Sequence, residues 1–353
     1  MAYTTINKST DYFNTKLYTG NGNTDHAQTG VGFQPDWTWI KDRSAAESHF
    51  VFDAVRGHSK YIFPNGNNAE GTDATGILKS FDSDGFTLGT NDGVNKNSDN
   101  YVAWNWKANG QGSSNTDGDI TSTVSANTTS GFSIVKYTGT GSNATVGHGL
   151  GVAPQVVLIK ELNGTNNWLM SHQPLSASLG DYTRFLTLNS TGAVSGAGNV
   201  VFQNSAFTSS VFNVGTSAGS NGSGQNYIAY CFASKTGYSK FGTYTGNGNV
   251  DGTFLYTGFK PAWILFKETS QSGQSWYIWD TKRDDNGNPL EEYIAVDSNG
   301  AEGGSGSTYM DYNSNGVKMR DTGTYLNGSG QTYVYMAFGQ SIVGSNNVPA
   351  VAR

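Results

Sequence analysis

The stretch Tyr101-Val-Ala-Trp-Asn-Trp-Lys-Ala108 returns as Tyr227-Ile-Ala-Tyr-Cys-Phe-Ala-Ser234 and again as Tyr333-Val-Tyr-Met-Ala-Phe-Gly-Gln340. Each copy closes a block of about 90–100 residues, too long for a solenoid repeat and right for a small domain. A second phrase opens each block: Tyr18-Thr-Gly-Asn-Gly-Asn23, Tyr137-Thr-Gly-Thr-Gly-Ser142 and Tyr244-Thr-Gly-Asn-Gly-Asn249. A third lies between: Gly32-Phe-Gln-Pro-Asp-Trp-Thr-Trp-Ile-Lys41, Gly151-Val-Ala-Pro-Gln-Val-Val-Leu-Ile-Lys160 and Gly258-Phe-Lys-Pro-Ala-Trp-Ile-Leu-Phe-Lys267. The chain is therefore a triplication. In the closing phrase, Val102, Trp104 and Trp106 alternate with Tyr101, Ala103 and Asn105, and the period of two predicts a strand with the former set toward the core.

Composition agrees with short strands and tight turns. Charged residues are only 14%, aromatics reach 13%, and glycine contributes 47 of 353 residues. A disordered chain would lack the aromatics. A net charge of −6 offers no basic footprint, which speaks against nucleic acid as a partner. Cys231 alone cannot build a disulfide framework, and its place in a closing phrase predicts a buried thiol. Met1 to Thr19 lacks the apolar core of a secretory signal, and no apolar run is long enough to span a bilayer, so neither secretion nor membrane insertion is expected.

These features predict an all-β protein of three tandem antiparallel β-sandwich domains of jelly-roll or lectin-like type. Residues 1–16 read as an N-terminal arm, or a first strand, 17–108 as the first repeat, and 109–131 as a Gly/Ser/Asn/Thr-rich linker, flexible by composition, whose tail from Ile120 is a candidate extension of the first strand of the next block. Residues 132–234 form the second repeat, 235–239 a short linker, 240–340 the third repeat, and 341–353 a polar tail. The short second linker predicts that blocks two and three pack together while block one is freer. Val156 to Lys160 reads as a buried central strand, and Arg184 to Leu188, Val200 to Gln203 and Val211 to Val214 as further strands. Asp82-Ser-Asp-Gly85 reads as the turn of a hairpin.

The most enzyme-like cluster is His49, Asp53, Arg56 and His58, a carboxylate near histidines. The repeat argues against catalysis. Asp53 and Arg56 recur as Asp280 and Arg283 without the histidines, and block two has Met170-Ser-His-Gln-Pro174 there, so both pairs read as structural ion pairs. Asp82 to Gly85 and Asp284 to Asn288 carry oxygen ligands but miss the EF-hand spacing, and turn chemistry explains them better than calcium. There is no nucleophile elbow, no phosphate loop and no zinc-spaced histidine set, so neither cofactor nor metal is expected. Sugar-binding proteins stack pyranose rings on exposed aromatics. Most tryptophans here fall in strand phrases and belong to a core, which leaves Trp168, Trp276, Tyr309, Tyr312 and Tyr325 as candidates for glycan stacking.

The phrases Tyr-Thr-Gly-Asn-Gly (18–22), Gly-Phe-Gln-Pro-Asp (32–36), Phe-Asp-Ala-Val-Arg-Gly (52–57), Ser-Phe-Asp-Ser-Asp-Gly-Phe-Thr-Leu-Gly (80–89) and Tyr-Val-Ala-Trp-Asn-Trp-Lys-Ala (101–108), with Tyr-Ile-Ala-Tyr-Cys-Phe-Ala (227–233) and the final Ala-Arg (352–353), carry a resemblance. The chain resembles a repeat family of uncharacterised structural proteins, tail-fibre-like or surface-borne, in marine tailed bacteriophages. The resemblance implies a lectin-like β-sandwich and a non-enzymatic virion-surface role, as a tail-fibre, tail-tip or other appendage component that meets the host surface. It implies no catalytic residues. Other virion proteins, a host surface glycan and a homo-oligomer, a trimer for a fibre, are the expected partners, in a virion assembled in the host cytoplasm. The alternatives are a capsid decoration protein and a glycan-degrading enzyme on the same scaffold, which would need two carboxylates flanking a cleft.

Overall fold

The structure is a computed structural model, and it describes residues 4–341 apart from 74, 176–181, 197, 285–286 and 305. The polar tail therefore lies almost wholly outside the described residues. Each closing phrase is a strand inside a main antiparallel sheet. In block one, Asn100–Trp106 lies between Phe13–Thr19 and Trp37–Asp42, with Phe50–Asp53 outside the latter. In block two, Asn226–Phe232 lies between Phe132–Thr138 and Val156–Glu161, and Leu169–His172 follows. In block three, Thr332–Ser341 lies between Ser239–Thr245 and Phe259–Glu268, and Trp276–Asp280 follows. The strand at Val156 is thus internal, as its β-branched run predicts.

Every main sheet buries both faces. On one face, Tyr101 and Ala103 pack under the small sheet formed by His26–Thr29, Gly85–Leu88 and Leu78–Asp82. Equivalent outer cores lie under Ala144–Gly147 with Val211–Val214, and under Phe254–Tyr256 with Gly316–Met319 and Met310–Asn313. On the other face, Val102, Trp104 and Trp106 join one cluster that also holds Ile228, Tyr230, Phe232, Val334, Met336 and Phe338. The predicted core face is therefore shared by all three blocks. Trp106, Phe232 and Phe338 hold the same position in their blocks and meet there, with ring centroids 5.6 Å apart for Trp106 and Phe338 and 6.0 Å for Phe232 and Phe338.

This common core overturns the expectation that block one is freer. A sheet apolar on both faces cannot leave its second face in water, so block one packs against both neighbours. The stretch 109–131 also departs from the linker reading, in the part ahead of the tail at Ile120. Ser113–Asn115 and Ser122–Asn127 extend the second main sheet, and Ile120 pairs in parallel with Val146. Asp119 Oδ2 accepts from the Thr145 backbone N–H and hydroxyl, so polar side chains that suit a flexible loop here hold a sheet edge. The N-terminal arm likewise runs into a strand at Phe13, and Ile6 and Phe13 enter the common core. Val200 to Gln203 is not a strand: Gly198–Phe202 is a short helix, and Gln203 (φ 65°) and Asn204 (φ 51°) end it in the left-handed region. Burial of Val201 and Phe202 in the outer core overrides their β preference.

The opening and closing phrases are explained by their contacts. Their tyrosines face each other across the ladder and stack, Tyr18 on Tyr101 at 5.1 Å, Tyr137 on Tyr227 at 5.2 Å, and Tyr244 on Tyr333 at 4.8 Å. Such pairs add about 0.5–1.5 kcal/mol beyond area burial. The opening tyrosine hydroxyls donate to the carbonyls of Val94, Ser220 and Leu326. Beside each stack, one buried asparagine clasps the glycine loop. Asn221, for example, accepts from Thr140 N–H and donates to the carbonyls of Ser142 and Gly215, and Asn95 and Asn327 do the same in their blocks. The first glycine of the loop is required because a Cβ at Gly20, Gly139 or Gly246 would lie 2.1, 2.4 or 2.3 Å from a backbone oxygen of Lys96, Gly222 or Gly328.

Candidate functional site

The charged residues singled out in the sequence gather where blocks meet. Phe50–Asp53 ends in Asp53, whose Oδ1 accepts from the Arg56 N–H at 2.8 Å and whose Oδ2 accepts from Arg56 Nε at 2.5 Å. Oδ2 also accepts the Tyr230 hydroxyl of block two at 2.7 Å. Arg56 continues to the Val51 carbonyl and to Glu70, at 3.2 Å each. Asp53 and Arg56 side chains are 0% and 1% exposed. Burial alone would lower the Arg56 pKa, but Asp53, Tyr230 and Glu70 outweigh it and hold the guanidinium above its ordinary value.

The junction of blocks three and one repeats this plan. Asp280 Oδ2 accepts from Arg283 Nε at 2.6 Å and from the Trp104 indole N–H of block one at 2.9 Å. Arg283 lies over the Trp104 ring at 5.8 Å and 3.5 Å from Glu302. The junction of blocks two and three is different. His172 replaces the aspartate and donates through Nε2 to the Tyr335 carbonyl at 3.1 Å, while Leu175, Val194 and Met336 take the places of arginine, glutamate and aromatic donor. Where the donor is missing, so is the carboxylate it would serve.

Two further rings of contacts run the same way round. His49, Trp168 and Trp276 hold equivalent positions. Trp168 Nε1 donates to Phe63 O at 2.8 Å, Trp276 Nε1 to Thr187 O at 3.0 Å, and His49 Nε2 to Ala295 O at 3.1 Å, each in another block. His49 Nδ1 accepts the Trp39 indole N–H at 2.9 Å, which fixes the neutral Nε2–H tautomer. Burial, then the charge of Lys41, pushes its pKa down to about 3. Backbone bonds from Glu70 to Leu162, Val194 to Thr269 and Glu302 to Arg43 close the third ring.

The structure thus keeps Asp53 with Arg56, and Asp280 with Arg283, but separates His49 and His58 from them in role, since His58 Nδ1 pairs with Leu78 O. It takes four of the five glycan-stacking candidates, Trp168, Trp276, Tyr309 and Tyr312, out of reach of a sugar. Trp168 is 0% and Trp276 1% exposed because each plugs a neighbouring block, and Tyr312, a residue of the third small sheet, is 1% exposed in the outer core of block three. Tyr309 is buried there too, and Tyr325 is partly buried against it with its hydroxyl on Asp321. Asp84 accepts from Gly30 and Gly32 N–H groups and Asp82 from Ser80 and Thr87 hydroxyls, which is turn and sheet bonding. Asp284 accepts from the Glu291 and Glu292 N–H groups, while Asp285 and Asn286 lie outside the described residues. Among the described residues no group of three or more His, Cys, Asp or Glu side chains is placed to hold a metal.

Sequence reasoning missed Lys41, Lys160 and Lys267, the last residues of the third phrase. All three are fully buried, and each ammonium donates to backbone carbonyls, as Lys41 does to Asp42 O at 2.6 Å and Ala45 O at 3.3 Å. Burial lowers each to about 8, partly offset by neighbouring carboxylates. Their invariance across three blocks was the available signal.

A cleft of about 300 Å³ lies at the junction of blocks three and one, lined by Arg43, Ser44, Asn100, Glu292 and Glu302 among others. Burial and the neighbouring Glu302 raise Glu292 to about 7, against the pull of Arg43 and Arg283. Both carboxylates bind the same guanidinium, Glu302 at 2.6 Å and Glu292 at 3.1 Å from Arg43. Glycoside hydrolysis needs two carboxyl groups facing each other across the sugar. Here they sit side by side on one cation.

Fold and site together define an all-β repeat protein whose ionisable groups lock its repeats to one another. The chain belongs to the family of the domain of unknown function DUF7483, which matches residues 8–341 and so takes in all three blocks as one unit. No curated protein and no solved structure matches it. Among the described residues no helix is long and apolar enough to cross a membrane.

Proposed function

We propose that this chain is a non-enzymatic structural protein of a bacteriophage particle surface, in a tail-fibre, tail-tip or other appendage that contacts the host. Each block is read as a small β-sandwich of jelly-roll or lectin-like type. The observation that carries the reading is the closed ring of three blocks. Buried charges that could serve catalysis are used to fasten block to block, and the ring supplies within one chain the threefold arrangement that a trimer of single blocks would supply on a fibre. Its expected partners are other virion proteins and a host surface glycan. The repeated phrases, similar to those of phage surface proteins, support the same reading.

A capsid decoration protein is the second reading, favoured by the ring itself, since a three-lobed body fits a threefold position of a lattice. Labelling purified particles with an antibody to this chain separates the two. Label at the tail supports the appendage, label over the capsid supports decoration, and particles without label refute both.

A further inference from the structure

The outer sheet of block three differs from its two counterparts at one edge. Phe254 and Tyr256 are 44% and 55% exposed on the edge strand Phe254–Tyr256. The ladder registers place Ala27 and Thr29 at these positions in block one, and Thr145 and Gly147 in block two. Two large aromatics thus stand in water where both other copies are small. Aromatic surface exposed in one copy of three is not required by the fold.

Beside Tyr256 lies a cleft of about 300 Å³ between blocks two and three, lined by Gln155, Ser234, Thr236, Ser239, Lys240 and Tyr256 among others. Among the described residues no carboxylate lines it, in a chain of net charge −6. Lys240 Nζ donates to Tyr256 O at 2.7 Å and sits 5.1 Å from the centroid of the Tyr256 ring. Among the described residues Lys240 forms no ion pair. Ser234 Oγ is buried without a hydrogen-bond partner among the described residues, and Gln155 is held at the cleft by the Ser234 N–H, which donates to its Oε1 at 2.8 Å. The cleft therefore combines an aromatic wall, hydroxyl and amide groups, a cation without an anionic partner and an unsatisfied polar atom.

We infer that this cleft binds an acidic sugar residue of a polysaccharide, with the pyranose ring against Tyr256, the hydroxyls toward Ser234 and Gln155, and the carboxylate toward Lys240. A neutral sugar would leave the cation unmatched, and an acidic peptide would have no use for the flat aromatic wall. The inference rests on the host-contact reading for its biological sense, but its test does not.

The test is calorimetric titration of the full chain with polygalacturonate, a hexuronate polymer, and with dextran as the neutral control. Tyr256→Ala and Lys240→Gln are compared with wild type, and thermal melts confirm that each remains folded. The expected result is binding of polygalacturonate but not dextran, weakened about tenfold or more by either substitution. Equal binding of both polymers, binding untouched by the two substitutions, or no binding of polygalacturonate would each overturn the assignment. Binding through these residues by a chain that antibody labelling fails to find on particles would keep the site and reject the host-contact reading. A labelled tail with no binding would do the reverse.

Discussion

Replacing Arg56 with leucine tests the claim that the junctions are alternative solutions to one packing problem. Arg56 makes three contacts, to Asp53 at 2.5 Å, to Val51 O at 3.2 Å and to Glu70 at 3.2 Å. Glu70 keeps Lys60 at 3.4 Å and some water, so the loss there is small. Asp53 has no such recourse. It is fully buried, and without Arg56 its charge rests on the Tyr230 hydroxyl and a backbone N–H. Breaking a buried pair from one side costs about 3–5 kcal/mol, whereas exchanging the whole set for apolar groups is often neutral. The chain already contains the exchanged set at the junction of blocks two and three. The fourfold variant Asp53→His, Arg56→Leu, Glu70→Val, Tyr230→Met transplants it, with the new imidazole facing the carbonyl of Ala229, the counterpart of Tyr335. Urea unfolding followed by tryptophan fluorescence should show Arg56→Leu destabilised by about 3–5 kcal/mol and the fourfold variant within about 1–2 kcal/mol of wild type, at similar slope. Tyr230→Phe, which removes one bond to a charged acceptor, should fall between, at about 1.5–3 kcal/mol. A single substitution costing under about 1 kcal/mol, or a fourfold variant worse than the single, would refute the reasoning.

Other outcomes follow from the same contacts. His49 and His172 are held neutral, with pKa values lowered to about 3 and about 4 chiefly by burial, so the unfolded chain binds more protons below about 6.5. Stability should therefore fall with acidification, by about 1.4 kcal/mol per pH unit for each histidine between about 6.5 and its folded pKa, and urea midpoints from pH 7 to 4 measure it. Gly139→Ala, which sets a Cβ 2.4 Å from the Gly222 carbonyl oxygen, should cost about 1–3 kcal/mol and lower Tm in a thermal melt. Asn221→Ala should speed hydrogen exchange at the Thr140 amide, which loses its acceptor, while the Gly20–Asn23 loop of block one keeps its protection. Cys231 is fully buried and burial raises its thiol pKa strongly, so a thiol reagent should label it only at the rate of global unfolding.

The triplication, the all-β character and the inward set Val102, Trp104 and Trp106 were legible because each rests on period and repetition, which a sequence displays directly. The alternation in the closing phrase also concealed something. With Tyr101 and Ala103 as buried as Trp104, alternation distinguishes two cores rather than core from solvent, and only the third dimension tells them apart. The stretch 109–131 misled for a related reason: Asn, Ser and Thr favour flexible loops in isolation, yet as edge-strand residues they bond the neighbouring sheet. Trp168 and Trp276 read as surface residues because their partners, Phe63 and Thr187, lie in another block, over eighty residues away along the chain. Differences between the blocks at equivalent positions held more than the motifs did. Asp53 and Arg56 recur as Asp280 and Arg283 without the histidines, and Phe254 and Tyr256 stand where the other two copies are small.

The unlikeness of one junction to the other two has a consequence for how the chain assembles. Blocks with the same fold and the same phrases are prone to pair in the wrong order, or with blocks of another chain emerging beside them. Trp104 has its acceptor in Asp280, Tyr230 in Asp53, and Met336 faces a surface with no charge to satisfy. A block set in the wrong seat would press a methionine against a buried carboxylate, or strand a hydroxyl where no acceptor waits. The substitutions that broke the symmetry of the repeat thus serve as keys: closing the ring in the reverse order would set Met336 against Asp53 and Trp104 against the uncharged seat of block two, and would leave only Tyr230 with an acceptor, in Asp280.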